Sequence, residues 1–163
     1  MSDDDRVSNF RRLRFDNIAD LFEELERIES AHKNGSLTTT GNWTPGQIFS
    51  HLAAWIEYGY DGFPLEAPPF FVRWMLKFML KGMLSKGEMK PGMKIPGVEA
   101  GTIGQEEMET VAAIERFRAA VLRMQSEPAI HHSPAFGKVS DDVRIKMSLI
   151  HAQLHIAFLD YPY

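Results

Sequence analysis

His151 and His155 stand four residues apart, so on a helix both imidazoles project from one face about a turn from each other and can share a metal ion. Their neighbours Ile150, Ala152, Leu154, Ile156 and Phe158 are apolar, which turns the pair inward, where an imidazole without a partner leaves a buried polar atom unsatisfied. A reactive metal site wants a third protein ligand and a fourth place left open for water or substrate. That third ligand has to come from another inward helix face. Of the six histidines, His51 alone joins the pair in a well-marked helix. His32 falls at a helix end, and His131 and His132 fall in a loop. Taken singly, His51 reads as a core histidine satisfied by its surroundings. Taken with the pair, it completes a set for one divalent metal.

Other chemistries are excluded by residue type. The chain has no cysteine, so there is no disulfide scaffold, thiolate zinc site, iron–sulfur cluster or cysteine nucleophile. A G-x-S-x-G elbow, a G-x-x-x-x-G-K-[ST] phosphate loop and an H-E-x-x-H helix are all missing. So is the Glu-x-x-His on each of two helices that a carboxylate-bridged di-iron site uses. Metal chemistry, if present, rests on histidine.

The elements that must position these residues read as helices. Ile18, Leu21, Phe22, Leu25 and Ile28 repeat at threes and fours, predicting a first helix over 16–33 closed by Asn34-Gly35. Thr44, Pro45 and Gln47 combine a cap, a first-turn proline and a capping box, and the second helix follows over 45–60. That places His51 two turns in. Between Phe70 and Leu84 nearly every residue is large and apolar except Arg73, Lys77 and Lys81 at steps of four. The reading is a short extra helix buried against the bundle or a second subunit. Its alternative is a cationic helix lying on a membrane. Lys86 to Gly104 is a long Gly/Pro-rich loop of the kind that covers a site. The pattern Thr102-Ile103-Gly104-Gln105 suggests another capping box, with a third main helix over 103–126 ended by Pro128. Ser140, Asp141 and Asp142 open a fourth over 141–160. No run of residues competes as a strand. The expected class is all-α, four long helices plus the short one.

The chain's 163 residues, 44% hydrophobic and 25% charged, suit one domain over 1–163, with residues 1–7 expected to be disordered. A formal net charge of −4 argues against a nucleic-acid partner. The opening Met1-Ser2-Asp3-Asp4-Asp5 lacks the positive charge of a targeting segment, and a cytoplasmic location is the expectation.

The stretch Asn42-Trp43-Thr44-Pro45-Gly46-Gln47-Ile48-Phe49-Ser50-His51-Leu52-Ala53 resembles the second-helix start of the DinB/YfiT-like superfamily, and His151-Ala152-Gln153-Leu154-His155 resembles the H-x-x-x-H of its last helix. Leu13-Arg14-Phe15, Gly41-Asn42-Trp43, Arg73 to Leu84, Lys94-Ile95-Pro96-Gly97 and His132 to Val139 look more narrowly like an uncharacterised subgroup, a domain of unknown function. The resemblance implies an up-down-down-up four-helix bundle, often dimeric, with zinc or nickel held by residues matching His51, His151 and His155. Characterised members of the superfamily include thiol-dependent S-transferases and a mycothiol-dependent isomerase. Many relatives in the subgroup carry another histidine where this chain has Leu154.

The expectation is therefore a metal-dependent enzyme, a transferase or hydrolase. Its ion activates a low-molecular-weight thiol or water against a small electrophile. No general base is identified. Tyr58, two turns after His51, and Arg144, two turns before His151, are candidates to orient substrate. The other class is a non-catalytic bundle that binds a partner or membrane surface through residues 70–94, although membrane contact is not the leading expectation.

Overall fold

The first helix begins at a reciprocal cap. Asn17 accepts the backbone N–H of Asp20 at 3.0 Å, and the Asp20 carboxylate accepts that of Asn17 at 3.3 Å. This defines α1 as Ile18–Lys33. The second cap is the expected one, with Thr44 Oγ1 accepting from Gln47 N at 3.2 Å and the Gln47 side chain accepting from Thr44 N at 2.9 Å. It starts α2, Pro45–Asp61. The computed structural model describes residues 11–162, so the disorder expected over 1–7 lies outside the described residues. Within them the remaining elements are α3 (Phe70–Lys86), α4 (Thr110–Ser126), α5 (Asp141–Ile156) and two short strands, β1 (Thr38–Thr39) and β2 (Leu159–Asp160).

The protein is mostly helical, as the periodicity predicts, but three boundaries differ. The 70–84 helix is not short: at 17 residues α3 equals α2 in length, closing on Gly87 in a left-handed turn at φ 70°. Nor is it buried. No residue of α3 is buried among the described residues. The third main helix starts at Thr110 rather than 103, capped by Glu109, whose carboxylate accepts from Ala112 N at 3.0 Å. The supposed box at Thr102 and Gln105 forms differently, with Gln105 Nε2 donating to the Thr102 carbonyl at 3.2 Å.

The last helix stops at Ile156, not 160, and the chain turns to pair β2 with β1 antiparallel, Thr38 opposite Asp160 and Thr39 opposite Leu159. The backbone groups of residues 158–160 bond to the segment Thr38–Thr40 in place of a further helical turn. Two-residue strands carry too little alternation to be legible in sequence.

The core lies between α1, α2, α4 and α5, with Leu25, Phe49, Leu52, Ile114, Phe117 and Ile156 wholly enclosed. Contact is most extensive between α2 and α4. Ion pairs bracket it: Arg116 clasps Glu57 at 2.6 Å, and Arg118 meets Glu29 on α1 at 3.1 Å.

A buried carboxylate ties the terminal segments to α1. Glu24, 2% exposed, accepts from Arg11 at 2.6 Å, from Arg27 at 2.9 Å and from the Tyr161 hydroxyl. Burial alone raises the pKa of a carboxyl, but these donors and the Arg11 charge outweigh it and hold Glu24 below its ordinary value. The folded form then keeps its stability above about pH 4.5 and loses it as the pH falls through the depressed folded value. Glu24→Ala strands two cations and a buried hydroxyl, and should cost about 3–5 kcal/mol in urea unfolding at pH 7. A loss below about 1 kcal/mol would show that Glu24 does not hold the ends together.

Candidate metal centre

His51 lies in the middle of α2, where Ile48 to Ala54 are all buried, and its imidazole is 1% exposed. His151 and His155 come from successive turns on one face of α5, and each side chain keeps some exposure. The three rings converge, with centroids 4.6 to 5.0 Å apart. One ligand nitrogen from each lies within 4.8 Å of the others, and His51 Nε2 is 3.1 Å from His151 Nε2. Three nitrogens bound tetrahedrally at about 2.0–2.1 Å lie about 3.3 Å from one another. The donor set therefore fits one divalent ion in type, number and spacing.

The protonation states fit as well. His51 Nδ1 is 2.7 Å from the Ile103 carbonyl oxygen, which can only accept. The Nδ1–H donates there, leaving the Nε2 lone pair turned to the other histidines. A ligand histidine oriented by a backbone carbonyl through its second nitrogen is the usual supporting contact of a metal site. Burial lowers the His51 pKa to about 4 against the opposing pull of Ile103. Burial, then the nearness of His51, lowers His151 to about 3. His155 is held well below its ordinary value by burial and by both neighbours. At neutral pH the cluster excludes protons yet presents lone pairs at close range, a combination that a metal cation relieves.

Aromatic rings wall the cluster. Trp43 stacks on His155 at 5.3 Å with planes 6° apart and meets His51 edge-on at 5.0 Å. The Trp55 ring stands 6.0 Å from both His51 and His151, and its Nε1–H is buried without an acceptor. These tryptophans were not picked out by sequence as site residues. A tryptophan at helical spacing reads as core, and only the fold shows which ring it faces.

The Ile103 carbonyl comes from the end of the Lys86–Gly104 loop, and the residues after it, read from sequence as the start of a helix, continue as an extended crossing. Residues 103–109 run across α2 at the closest possible range. A Cβ on Gly46 would lie 1.8 Å from the Met108 carbonyl oxygen, and one on Gly104 would lie 2.8 Å from Ala54 Cβ and 3.1 Å from the Tyr58 hydroxyl. Ser50, fully buried, donates toward the Glu106 carbonyl at 2.7 Å. Gly104 also holds φ 84°, backbone that suits glycine. The signal was present, since glycine is a poor residue for the helical turn the box pattern suggested.

The structure brings His51, His151 and His155 together, and it leaves the other histidines apart. His32 lies 3.6 Å from Glu109, and His131 and His132 are exposed in the α4–α5 loop. Tyr58 packs on Trp55 at 6.0 Å, one ring removed from the cluster, with its hydroxyl beside Gly104. Arg144 is spent on bracing: it bonds the Tyr60 hydroxyl at 2.8 Å, the Glu127 carbonyl at 2.8 Å and Asp141 at 3.1 Å. These contacts hold the start of α5 to the end of α4. The surface depressions beside Thr44 and Glu107–Thr110 and beside Phe70–Lys77 do not include the histidines.

The profile of one protein family matches residues 7–161, nearly the whole chain. The chain belongs to the family described as protein of unknown function DUF1569. Neither a curated protein nor a solved structure matches it.

Two outcomes follow for DUF1569 members built like this one. Because the folded histidines resist protons that the unfolded chain takes up below about pH 6.5, metal-stripped protein should lose stability from there toward the His51 value of about 4. Urea midpoints at pH 7.5 and 5.5 report it, and an unchanged midpoint would contradict the burial of three neutral imidazoles. Gly104→Val should cost about 1–3 kcal/mol through backbone strain and crowding. It should show the strain as a lower urea midpoint at pH 7.5, and an unchanged midpoint would mean that residues 103–109 need no glycine to cross α2.

Proposed function

We propose that this protein is a metal-dependent enzyme of the DinB/YfiT-like superfamily, a transferase or hydrolase. In this reading one divalent ion, zinc or nickel, is held by His51, His151 and His155. The helices form a single domain with the superfamily's up-down-down-up bundle order. The observation that carries the reading is the convergence of three neutral histidine nitrogens within 4.8 Å, drawn from two helices far apart in sequence. When bound, the ion supplies a Lewis acid that favours the anionic form of a thiol or of water.

The chain's own residues set the rest. Ile103 fixes the nitrogen that His51 offers, and Trp43 holds the plane of His155 by stacking. Partial exposure of His151 and His155 leaves the cluster approachable from that side. The Trp55 indole N–H, buried without an acceptor beside the cluster, is a donor for a ligand in the open place. Tyr58, packed on Trp55, is the candidate to orient a small electrophilic substrate, whereas Arg144 keeps its bracing role. With no cysteine in the chain, sulfur chemistry here takes its sulfur from a low-molecular-weight thiol.

Elemental analysis of the purified protein tests the reading. Wild type should carry about one zinc or nickel per chain, and His51→Ala, His151→Ala and His155→Ala should each abolish stoichiometric binding while keeping the helical circular dichroism. A wild type that neither retains nor takes up a divalent metal at pH 7.5, or a His155→Ala variant that binds as well as wild type, would falsify it. If metal is bound, loss of thiol transfer to a small electrophile on chelation, with recovery on adding metal back, separates an enzyme from a metal-stabilised bundle.

A further inference from the structure

Helix α3 departs from every other helix among the described residues. Among the described residues it buries no side chain, while Phe70, Phe71, Trp74 and Phe78 are 83, 62, 72 and 72% exposed. Met75 and Met79 are exposed beside them. Aromatic side chains present about 150–250 Å² each, so the four rings alone expose on the order of 400–800 Å². The largest apolar patch on a typical monomer is about 300–600 Å². At helical spacing Phe71, Trp74, Met75 and Phe78 share the side turned away from the protein, while Val72, Leu76, Leu80 and Met83 form the half-buried side.

Charge says what covers this face. The helix carries Arg73, Lys77, Lys81 and Lys86 and no acidic residue, and none occurs between Glu66 and Glu88. The whole chain is nonetheless acidic, at −4. Lys77 and Lys81 are exposed on the flank of the aromatic stripe, where their stems can lie along apolar surface with the ammonium groups in water. Phe70, Trp74, Arg73 and Lys77 line a depression of about 320 Å³, two rings beside two cations. A second copy docked through this face by two-fold symmetry would set lysine against lysine. An anionic lipid surface presents the complement of both features, phosphates at the level of the lysines and hydrocarbon below the rings. The helix is not a span: no helix among the described residues is long and apolar enough to cross a membrane.

We propose that α3 is a peripheral membrane-binding helix that lies on an anionic phospholipid surface, with Phe71, Trp74 and Phe78 inserted and Lys77 and Lys81 at the phosphates. Glycine conformation and one polar clamp hold it in place. Gln153, buried in α5, donates to the Gly87 carbonyl at 3.0 Å and accepts from Phe15 N at 2.8 Å. The end of the docking helix is thereby fixed to the helix that bears His151 and His155. The inference does not depend on the metal reading.

Flotation of the full chain tests it, using vesicles of phosphatidylcholine with about a third phosphatidylglycerol against pure phosphatidylcholine. Each basic residue near an anionic surface is worth about fivefold in partitioning. Wild type should float with the anionic vesicles, and Lys77→Glu with Lys81→Glu should lower binding by at least about 25-fold. Trp74→Ser with Phe78→Ser should lower it comparably, and emission of wild type should shift to the blue on binding while that of Trp74→Phe should not. All four residues are exposed, so unchanged circular dichroism and melting temperature confirm that the variants remain folded. Binding should persist in chelator. Absence of flotation with anionic vesicles overturns the proposal, as does equal binding to neutral ones. Reversible self-association by sedimentation, abolished by Trp74→Ser with Phe78→Ser and unaccompanied by lipid binding, would assign the face to a second copy instead.

Discussion

The enclosure of α2 is the constraint on which the rest of this structure depends. Packed against α4 and α5 and crossed by residues 103–109, it buries eleven of its seventeen residues, two of them polar. Ser50 and His51 cannot reach water, so their partners must come from within the fold. The crossing segment provides them, through the carbonyls of Glu106 and Ile103. Side chains at Gly46 or Gly104 would hold that segment away from the helix. Close backbone approach therefore does two jobs: it closes the core over α2 and sets the tautomer of His51.

The histidine cluster inherits its character from that enclosure. Burial makes each imidazole a poor base toward protons, and the neighbouring histidines add to this at His151 and His155. The same surroundings leave three lone pairs in reach of one centre. Rings of Trp43 and Trp55 limit how far the imidazoles can rotate. The cluster stays approachable only from its partly open side, next to the indole N–H of Trp55, which has no acceptor.

Helix α3 follows an opposite logic. In the other helices hydrophobic residues face one another, whereas in α3 the largest ones face outward and the cations border them. Gln153 joins this outward helix to the inward one that bears two of the three histidines. The outward helix and the histidine cluster thus share α5 as a frame.

Much was legible in the residues themselves. Periodicity of three and four located the helices that pack around the core, because burying one stripe of a helix demands that spacing. The capping box at Thr44 and Gln47 set the start of α2 to the residue, since satisfying the first backbone N–H groups is a local matter. The i,i+4 spacing of His151 and His155 placed both on one face of α5 for the same local reason. What needed the tertiary structure was non-local. The box read at Thr102 does not form, and the carbonyls of Ile103 and Glu106 are bonded to His51 and Ser50 of α2 instead. The last helix gave up its end to β1, more than 100 residues away in sequence, through pairs too short to show a pattern. That His51 meets His151 at 3.1 Å, and that the greasy 70–86 stretch faces out rather than in, are facts of packing between distant segments. Local composition determines which residues can form a helix and bear a ligand, and only the folded chain decides which faces are covered and which atoms converge.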